Sequence, residues 1–169
     1  MQVFLASDHR GFSLKSKLVT DLTHIHIMPD SYLEINDLGP KNYDPDDDYN
    51  DAAIAVARAI KESQKTGDEG AMGILICGSA IGMSIQANRF IGIRAAVVTD
   101  IETAISSREH NNANVLCLSA DHLAQAKDPL EGEKAYEDLL AIVEKFLTTP
   151  FSGEARYIRR TKRLDEEVQ

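Results

Sequence analysis

Five short apolar segments alternate along the chain with segments whose apolar residues recur at helical spacing. The apolar segments predict strands at 3–6, 32–39, 73–77, 93–98 and 114–119. Helices are predicted over 12–22, 52–60, 84–90, 101–108 and 136–146. Strands that alternate with helices are joined by parallel crossovers, so the pattern predicts a Rossmann-like, doubly wound α/β sandwich around a mainly parallel five-stranded sheet. We divide the chain into this α/β domain, 1–150, and a basic helical tail, 151–169.

Most of the chemically active side chains follow the predicted strands. In doubly wound sheets, ligands bind outside the carboxyl ends of the strands. The residues at those positions are Ser7, Asp8 and His9 after the first strand, Cys77, Gly78 and Ser79 after the third, and Thr99 and Asp100 after the fourth. His110 instead precedes the fifth strand, at the opposite end of the sheet. If His110 is catalytic, it must reach a site in another way, for example across a dimer interface.

The composition is that of a globular domain with an acidic balance. The chain has 169 residues, 43% of them hydrophobic, and a formal net charge of -9. These values favour one domain with a real core and argue against a surface for nucleic acid or anionic membranes. The two cysteines lack disulfide-type spacing, the first residues do not resemble a signal peptide, and no apolar segment approaches about 20 residues. We therefore expect a cytoplasmic protein that binds neither nucleic acid nor membranes.

The segment ILICGSAIGMSIQANRF places a thiol at the end of a predicted buried strand, before small residues and the start of a helix. Gly78 and Gly82 allow the backbone to come close to a ligand. The helix start favours an anion or an oxyanion, and it favours a thiolate by lowering the cysteine pKa. Ser79 adds a hydroxyl donor. Cys77 is thus either a core residue or an active thiol, whereas Cys117, inside an apolar strand, is predicted to be core.

The loop after Cys77 differs from three known motifs. Its glycines do not have the spacing of the dinucleotide fingerprint, and the chain has no Gly-Lys-Ser/Thr segment. A cysteine phosphatase would have an arginine where Met83 stands. Because no metal-ligand cluster is visible either, we expect neither a metal nor another cofactor.

The tail contains the main concentration of positive charge. Arg156 and Arg160 are four residues apart, so a helix would place both on one side, where they could hold a phosphate. The alternative is a solvated helical face. His9 and His110, both in predicted polar turns, are compatible with surface or capping roles as well as with chemistry.

Four segments occur together in the order and spacing of a known enzyme family. They are SDHRGFSLK near the start, ILICGSAIGMSIQANRFIGIRAAV in the middle, SREHNNANVLCLS next and FLTTPFSGEARYIRR near the end. Together they resemble the ribose-5-phosphate isomerase B family, which includes the galactose-6-phosphate isomerase subunits. The resemblance extends over nearly the whole chain. It implies a homodimer or tetramer with active sites shared between subunits, and a tail that contributes to the phosphate site and the dimer.

The resemblance also implies roles for individual residues. Cys77 matches the base that moves a proton between C1 and C2 of a phosphosugar, and His110 matches a residue that assists ring opening. Ser79 and nearby amides match the cradle of the enediolate oxygens, and Asp8 matches a residue that contacts the sugar. No cofactor is required. We expect the substrate-binding residues to be His9, Tyr49, Gly78, Gly82, Asn111, Arg156 and Arg160.

Two positions depart from the family pattern. Ala80 stands where glycine is usual, which is a mild change if its φ is not positive. After the fifth strand the family commonly has Gly-x-Arg, whose arginine contacts phosphate, and here Asp121 stands at that position. Arg10, Arg159 and His122 are candidates to replace the missing arginine.

The leading hypothesis is an aldose–ketose isomerase that interconverts ribose 5-phosphate and ribulose 5-phosphate by cysteine-mediated proton transfer through an enediolate. The first alternative is an isomerase of a six-carbon phosphosugar, allose or galactose 6-phosphate. The second is a non-catalytic protein that binds sugar phosphates. The acidic run 44–48 is interpreted as a solvated turn, and its further role stays open.

Overall fold

A computed structural model describes residues 1–24, 33–123 and 129–166, and position 32 of the predicted second strand lies outside these ranges. The strands are β1 (Gln2–Ser7), β2 (Glu34–Asp37), β3 (Met72–Cys77), β4 (Ala95–Val97) and β5 (Val115–Ser119). The helices are α1 (Phe12–His24), α2 (Tyr49–Lys65), α3 (Ile81–Ala87), α4 (Ile101–Asn111), α5 (Ala120–Leu123), α6 (Pro129–Thr148) and α7 (Ala155–Leu164).

The five strands form one sheet in the order β2-β1-β3-β5-β4, and every pairing between them is parallel. The predicted doubly wound α/β fold is therefore confirmed, with a fully parallel sheet. From β1 the chain first adds β2 on one side and then β3 on the other. Loops diverge at such a reversal and leave a crevice at the carboxyl ends of the strands. The fold thus places the crevice beside the loops that follow β1 and β3.

Apolar layers cover both faces of the sheet. One layer contains Val56 and Ile60 of α2 and Met83 of α3, and the other contains residues of α1, α4 and α6, including Phe146. Because strand side chains alternate between faces, Cys77 and Cys117 both project into the α2–α3 layer. Cys117 is completely buried, which confirms its prediction as a core residue.

Among the helix and strand boundaries that differ from the pattern, three lie near predicted site residues. α3 begins at Ile81, three residues earlier than expected, so the helix starts directly after the Cys77 loop. β4 spans only Ala95–Val97 instead of 93–98. α4 continues to Asn111, where Asn112 ends it with a left-handed φ of 48°. His110 therefore lies in the last turn of a helix, and its prediction in a polar turn is wrong.

A buried lysine holds the loop after β2 against α1. Lys15 Nζ donates to both carboxylate oxygens of Asp37, at 2.8 and 2.9 Å, and to the carbonyl oxygen of Pro40 at 2.9 Å. Burial acts to raise the pKa of Asp37, but the hydrogen bonds from Lys15 and from the Gly39 amide outweigh it and hold that pKa below its usual value. The loop that carries the acidic run is thereby attached to the core.

A buried arginine holds the end of α4. Arg108 Nε donates to the Thr149 carbonyl at 3.2 Å, and Nη1 donates to the Ala113 carbonyl. Burial, with repulsion from Arg94, lowers the pKa of Arg108 to about 10, which leaves it charged at neutral pH. Because Arg108 is two residues from His110, these bonds also fix the position of His110.

Candidate active site

Seven predicted site residues lie on or against the loops after β1 and β3. We call them the Cys77 cluster: Asp8, His9, Tyr49, Cys77, Gly78, Ser79 and Gly82. Their positions follow from the parallel pairing of β1 and β3, which brings both carboxyl ends to the same edge of the sheet. The strand-end rule applied to the sequence thus located five of these residues, whereas Tyr49 was named from the family resemblance and Gly82 from the small residues that follow Cys77.

The turn after β1 is fastened to the end of β3. Asp8 is 5% exposed, its backbone N–H donates to the Ile76 carbonyl at 3.2 Å, and its Oδ1 accepts the Gly11 N–H at 3.0 Å. Any side chain at Gly11 would collide with the Ile76 carbonyl. Glycine at this position therefore lets α1 start against β3 and keeps Asp8 beside Cys77.

His9 is held by a residue of the acidic run. Asp47 Oδ1 accepts the backbone N–H of His9 at 2.9 Å and lies 2.8 Å from His9 Nδ1. The hydrogen bond to Asp47 raises the pKa of His9, burial opposes this, and the Asp8 carboxylate adds to the rise. The sequence pattern missed Asp47, because nothing distinguishes it from the other aspartates of the run that was interpreted as a solvated turn.

The thiol of Cys77 is nearly covered. It is 4% exposed, and Sγ accepts the Ala80 N–H at 3.2 Å. Burial raises its pKa, and the amides of Ala80, Met83 and Ser79 lower it, while the Asp8 carboxylate raises it further. The net direction is upward, so the predicted lowering of the thiol pKa is wrong. The apolar layer under the sheet disfavours the thiolate by more than the loop amides favour it.

The strained position of the loop is Ala80. Its φ is 66°, a left-handed conformation that costs a residue with a Cβ roughly 1–2 kcal/mol. Alanine in place of the usual glycine would be a mild change only if φ were not positive, so Ala80 is not a mild change. The turn directs the Ala80 N–H back at Cys77 Sγ. Ser79, which precedes Ala80 in the same turn, is exposed, and its Oγ accepts the Ile81 N–H at 3.4 Å.

The two glycines of the loop allow side chains of the protein itself to approach. A Cβ at Gly82 would lie 2.6 Å from Tyr49 Cζ, and a Cβ at Gly78 would lie 2.7 Å from Arg10 Nη1. Neither glycine has a positive φ. The aromatic ring and the guanidinium group thus lie directly on the loop. Arg10 also forms an ion pair with Asp121, at 2.5 Å.

The remaining predicted residues gather on α4 and α7. Together with Tyr157 we call them the His110 cluster: His110, Asn111, Tyr157, Arg156 and Arg160. The His110 ring stacks on the buried Tyr157 at 4.5 Å between centroids and an interplanar angle of 21°. The Cζ atoms of Arg156 and Arg160 lie 4.4 and 5.9 Å from the same ring. The two arginines therefore share one side of α7, and both are exposed.

The two clusters lie at opposite edges of the sheet. α4 starts after the carboxyl end of β4 and ends before β5, so His110 lies at the amino edge. Strands rise about 3.3 Å per residue, so the six residues of β3 separate the edges by about 16 Å. One copy of the chain therefore does not bring His110 to Cys77.

A cavity of about 470 Å³ lies at the carboxyl ends of β4 and β5, and its lining includes Thr99, Ser119, His122 and Leu139 but no residue of the Cys77 cluster. Within the described residues, no three or more His, Cys, Asp and Glu side chains come together in a way that could hold a metal ion.

Among the described helices, none combines the length and the apolar character needed to cross a membrane.

Known proteins resemble this chain over almost its full length. The family model described as Ribose/Galactose Isomerase matches residues 3–164. A probable ribose-5-phosphate isomerase B of Mycoplasma pneumoniae is 35% identical over 162 residues, covering 96% of this chain and 91% of the relative. The ribose-5-phosphate isomerase B of Mycobacterium tuberculosis is 34% identical over 166 residues, covering 98% and 89%.

A solved structure agrees with these relatives. The crystal structure of ribose-5-phosphate isomerase B from Mycoplasma genitalium with bound ribulose-5-phosphate superposes with a TM-score of 0.78 at 35% identity, covering 97% of this chain and 93% of that chain. Sequence and fold therefore agree. As its four motifs predicted, the chain belongs to the ribose/galactose isomerase family of enzymes.

Proposed function

We propose that this isomerase interconverts ribose 5-phosphate and ribulose 5-phosphate as a step of carbohydrate metabolism. The observation that carries the proposal is the position of the Cys77 thiol. It faces three backbone amides at the carboxyl ends of β1 and β3, where the order of the strands reverses. Relatives named ribose-5-phosphate isomerase B and the Mycoplasma genitalium structure with ribulose-5-phosphate support this choice of substrate.

In the proposed mechanism Cys77 is the only base. Its thiolate takes the proton from C2 of the open-chain aldose, and the electron pair of that bond forms the C1–C2 double bond while the carbonyl oxygen on C1 becomes negative. The Cys77 thiol then returns the proton to C1, and the hydroxyl proton of O2 moves to O1, which gives the ketose. Because the pKa of the thiol is above its ordinary value, only a minor fraction is thiolate at neutral pH, and the rate should rise towards alkaline pH. Ser79 and the loop amides are proposed to stabilise the enediolate oxygens.

A second copy of the chain is proposed to complete the site. The Cys77 cluster contains the base, whereas the His110 cluster contains the ring-opening histidine and two exposed arginines for the phosphate. Ile81 and Ile85 of α3 are 57% and 62% exposed next to the Cys77 loop, which supports contact with another subunit. In a homodimer, or a tetramer built from it, each site would combine the Cys77 cluster of one subunit with the His110 cluster of the other. The tail, 151–169, would then serve both the phosphate site and the dimer.

The proposed location is the cytoplasm. Cys77 and Cys117 are both free thiols. A reducing compartment would keep the proposed base from being oxidised.

The test is turnover across five- and six-carbon phosphosugars, combined with solvent deuterium incorporation at the exchanging carbon. We expect the highest kcat/KM with ribose 5-phosphate and deuterium in its product. Higher kcat/KM with allose or galactose 6-phosphate would instead favour the six-carbon alternative. If neither turnover nor deuterium exchange is observed while the thiol is intact, the proposal is contradicted. That result would favour a non-catalytic protein that binds sugar phosphates.

A further inference from the structure

Arg10 lies against the loop that carries the proposed base. Three atoms of its guanidinium group, Nη1, Cζ and Nε, would be 2.7 to 2.9 Å from a Cβ at Gly78, so the planar group rests on the backbone of the residue after Cys77. Arg10 also acts on the neighbouring His9: Asp47 raises the pKa of His9, and repulsion from Arg10 opposes that rise weakly. The site therefore has a cation of its own in addition to the arginines of α7.

The partner of Arg10 is held in place by the same loop. Ser119 is the register partner of Cys77, and its Oγ donates to the Gly78 carbonyl at 2.7 Å. The Asp121 backbone N–H donates to the same carbonyl at 3.1 Å. The first turn of α5 is thus fastened to Gly78, which puts the Asp121 carboxylate within reach of the guanidinium group on that residue.

We propose that Arg10 and Asp121 form an exchangeable ion pair in which Arg10 binds the phosphate of the substrate and Asp121 occupies Arg10 when phosphate is absent. This inference rests on the proposed phosphosugar substrate. The side chains of Arg10 and Asp121 are 54% and 40% exposed, and exposed ion pairs are weak. A phosphate dianion carries more charge than a carboxylate and accepts two parallel hydrogen bonds from a guanidinium group. Phosphate can therefore displace Asp121 from Arg10.

The pair would set how tightly the site holds phosphate. Asp121 competes for Arg10 and repels the incoming dianion, so it weakens binding. Arg10 supplies a cation within a chain whose net charge is -9. Removing one partner or the other should therefore change phosphate affinity in opposite directions, which a purely structural ion pair would not do.

The test compares Arg10→Gln and Asp121→Asn with Arg58→Gln, which removes an exposed arginine of α2. The dissociation constant of inorganic phosphate is measured by calorimetry, and KM and kcat are measured with ribose 5-phosphate. Arg10→Gln should raise both the phosphate Kd and KM about 10- to 100-fold, as expected for the loss of a charge-assisted bond. Asp121→Asn should lower both about two- to fivefold. Arg58→Gln should leave both unchanged.

The inference is overturned if Arg10→Gln binds phosphate as Arg58→Gln does, or if Asp121→Asn weakens phosphate binding. Melting temperatures without phosphate show whether each variant folds. Should Arg10→Gln be unfolded, the sign of the Asp121→Asn effect decides alone, because that variant keeps Arg10. Phosphate binding is measured without turnover. Suppose that the wild-type protein isomerises no phosphosugar but that Arg10→Gln still loses phosphate affinity. The proposed function would then be refuted, whereas the exchangeable ion pair would be supported.

Discussion

The Cys77 cluster and the His110 cluster differ in how their side chains are held. In the first, Asp47 holds His9, Tyr49 lies on Gly82 and loop amides surround the thiol. In the second, His110 and two exposed arginines contact one ring, that of Tyr157. The first cluster has the proposed base inside a network of bonds, and the second has exposed cations beside a histidine. Each would therefore supply half of the chemistry proposed for isomerisation of a phosphosugar.

The largest expected effect comes from removing the proposed base. Cys77→Ala should reduce turnover and proton exchange about 10²- to 10⁴-fold, the range of a general base, while phosphosugar binding is nearly retained. Steady-state kinetics, solvent deuterium incorporation and calorimetry measure these quantities. The matched control is Cys117→Ala, which removes a core thiol and should lower stability by about 1 kcal/mol but leave kcat unchanged. Wild-type turnover in Cys77→Ala would make Cys77 a core residue only.

The two clusters can be tested against each other by mixing inactive variants. Dimers of Cys77→Ala and of His110→Ala each lack one half of every site. After subunit exchange, half of the dimers are mixed and contain one intact site, so about a quarter of the wild-type activity should return. Native mass spectrometry confirms that exchange took place. If mixed dimers form and stay inactive, the site is not shared between subunits.

The charge beside the thiol is expected to influence the pH at which the enzyme becomes active. The Asp8 carboxylate contributes to the raised pKa of Cys77, so Asp8→Asn should lower that pKa. Because the thiolate is the proposed active form, the rising limb of kcat/KM should move to lower pH. The matched control is Asp100→Asn, which changes another carboxylate that follows a strand, at the N-cap of α4, where asparagine also caps well. If the rising limb moves equally in both variants, its shift is not caused by the loss of the Asp8 charge beside the thiol.

The smallest expected effect concerns the ring that lies on the loop. Gly82→Ala places a methyl group where Tyr49 now lies, so it should displace the ring and raise KM about two- to tenfold, as Tyr49→Ala should. The double variant should show no further increase, because both changes remove the same contact. Gly70→Ala, in an exposed turn where a Cβ meets only ordinary contacts, is the control. Additive effects would show that Gly82 and Tyr49 act independently.

The sequence predicted those parts of the site that depend on local patterns. Cys77 and Asp8 were located because strand ends can be recognised from apolar segments, and parallel strands end at the same edge. The spacing of Arg156 and Arg160 predicted a shared helix face, because residues four apart lie on the same side of a helix. The contacts of Asp47 with His9 and of Arg10 with Asp121 join residues 38 and 111 positions apart. A single sequence has no signal for such pairs, because nothing local selects one aspartate of an acidic chain over another.

The sequence by itself determined the layers of the sandwich, the edge that carries the thiol and the separation of His110 from it, since these follow from the periodicity and order of the strands and helices. The tertiary structure decided that the pKa of the Cys77 thiol is raised, because burial depends on which distant side chains pack over a residue. It also decided that Ala80 adopts the left-handed turn, and it set the partners of His9 and Arg10. These properties depend on distances between residues far apart in the chain, which exist only once the chain has folded.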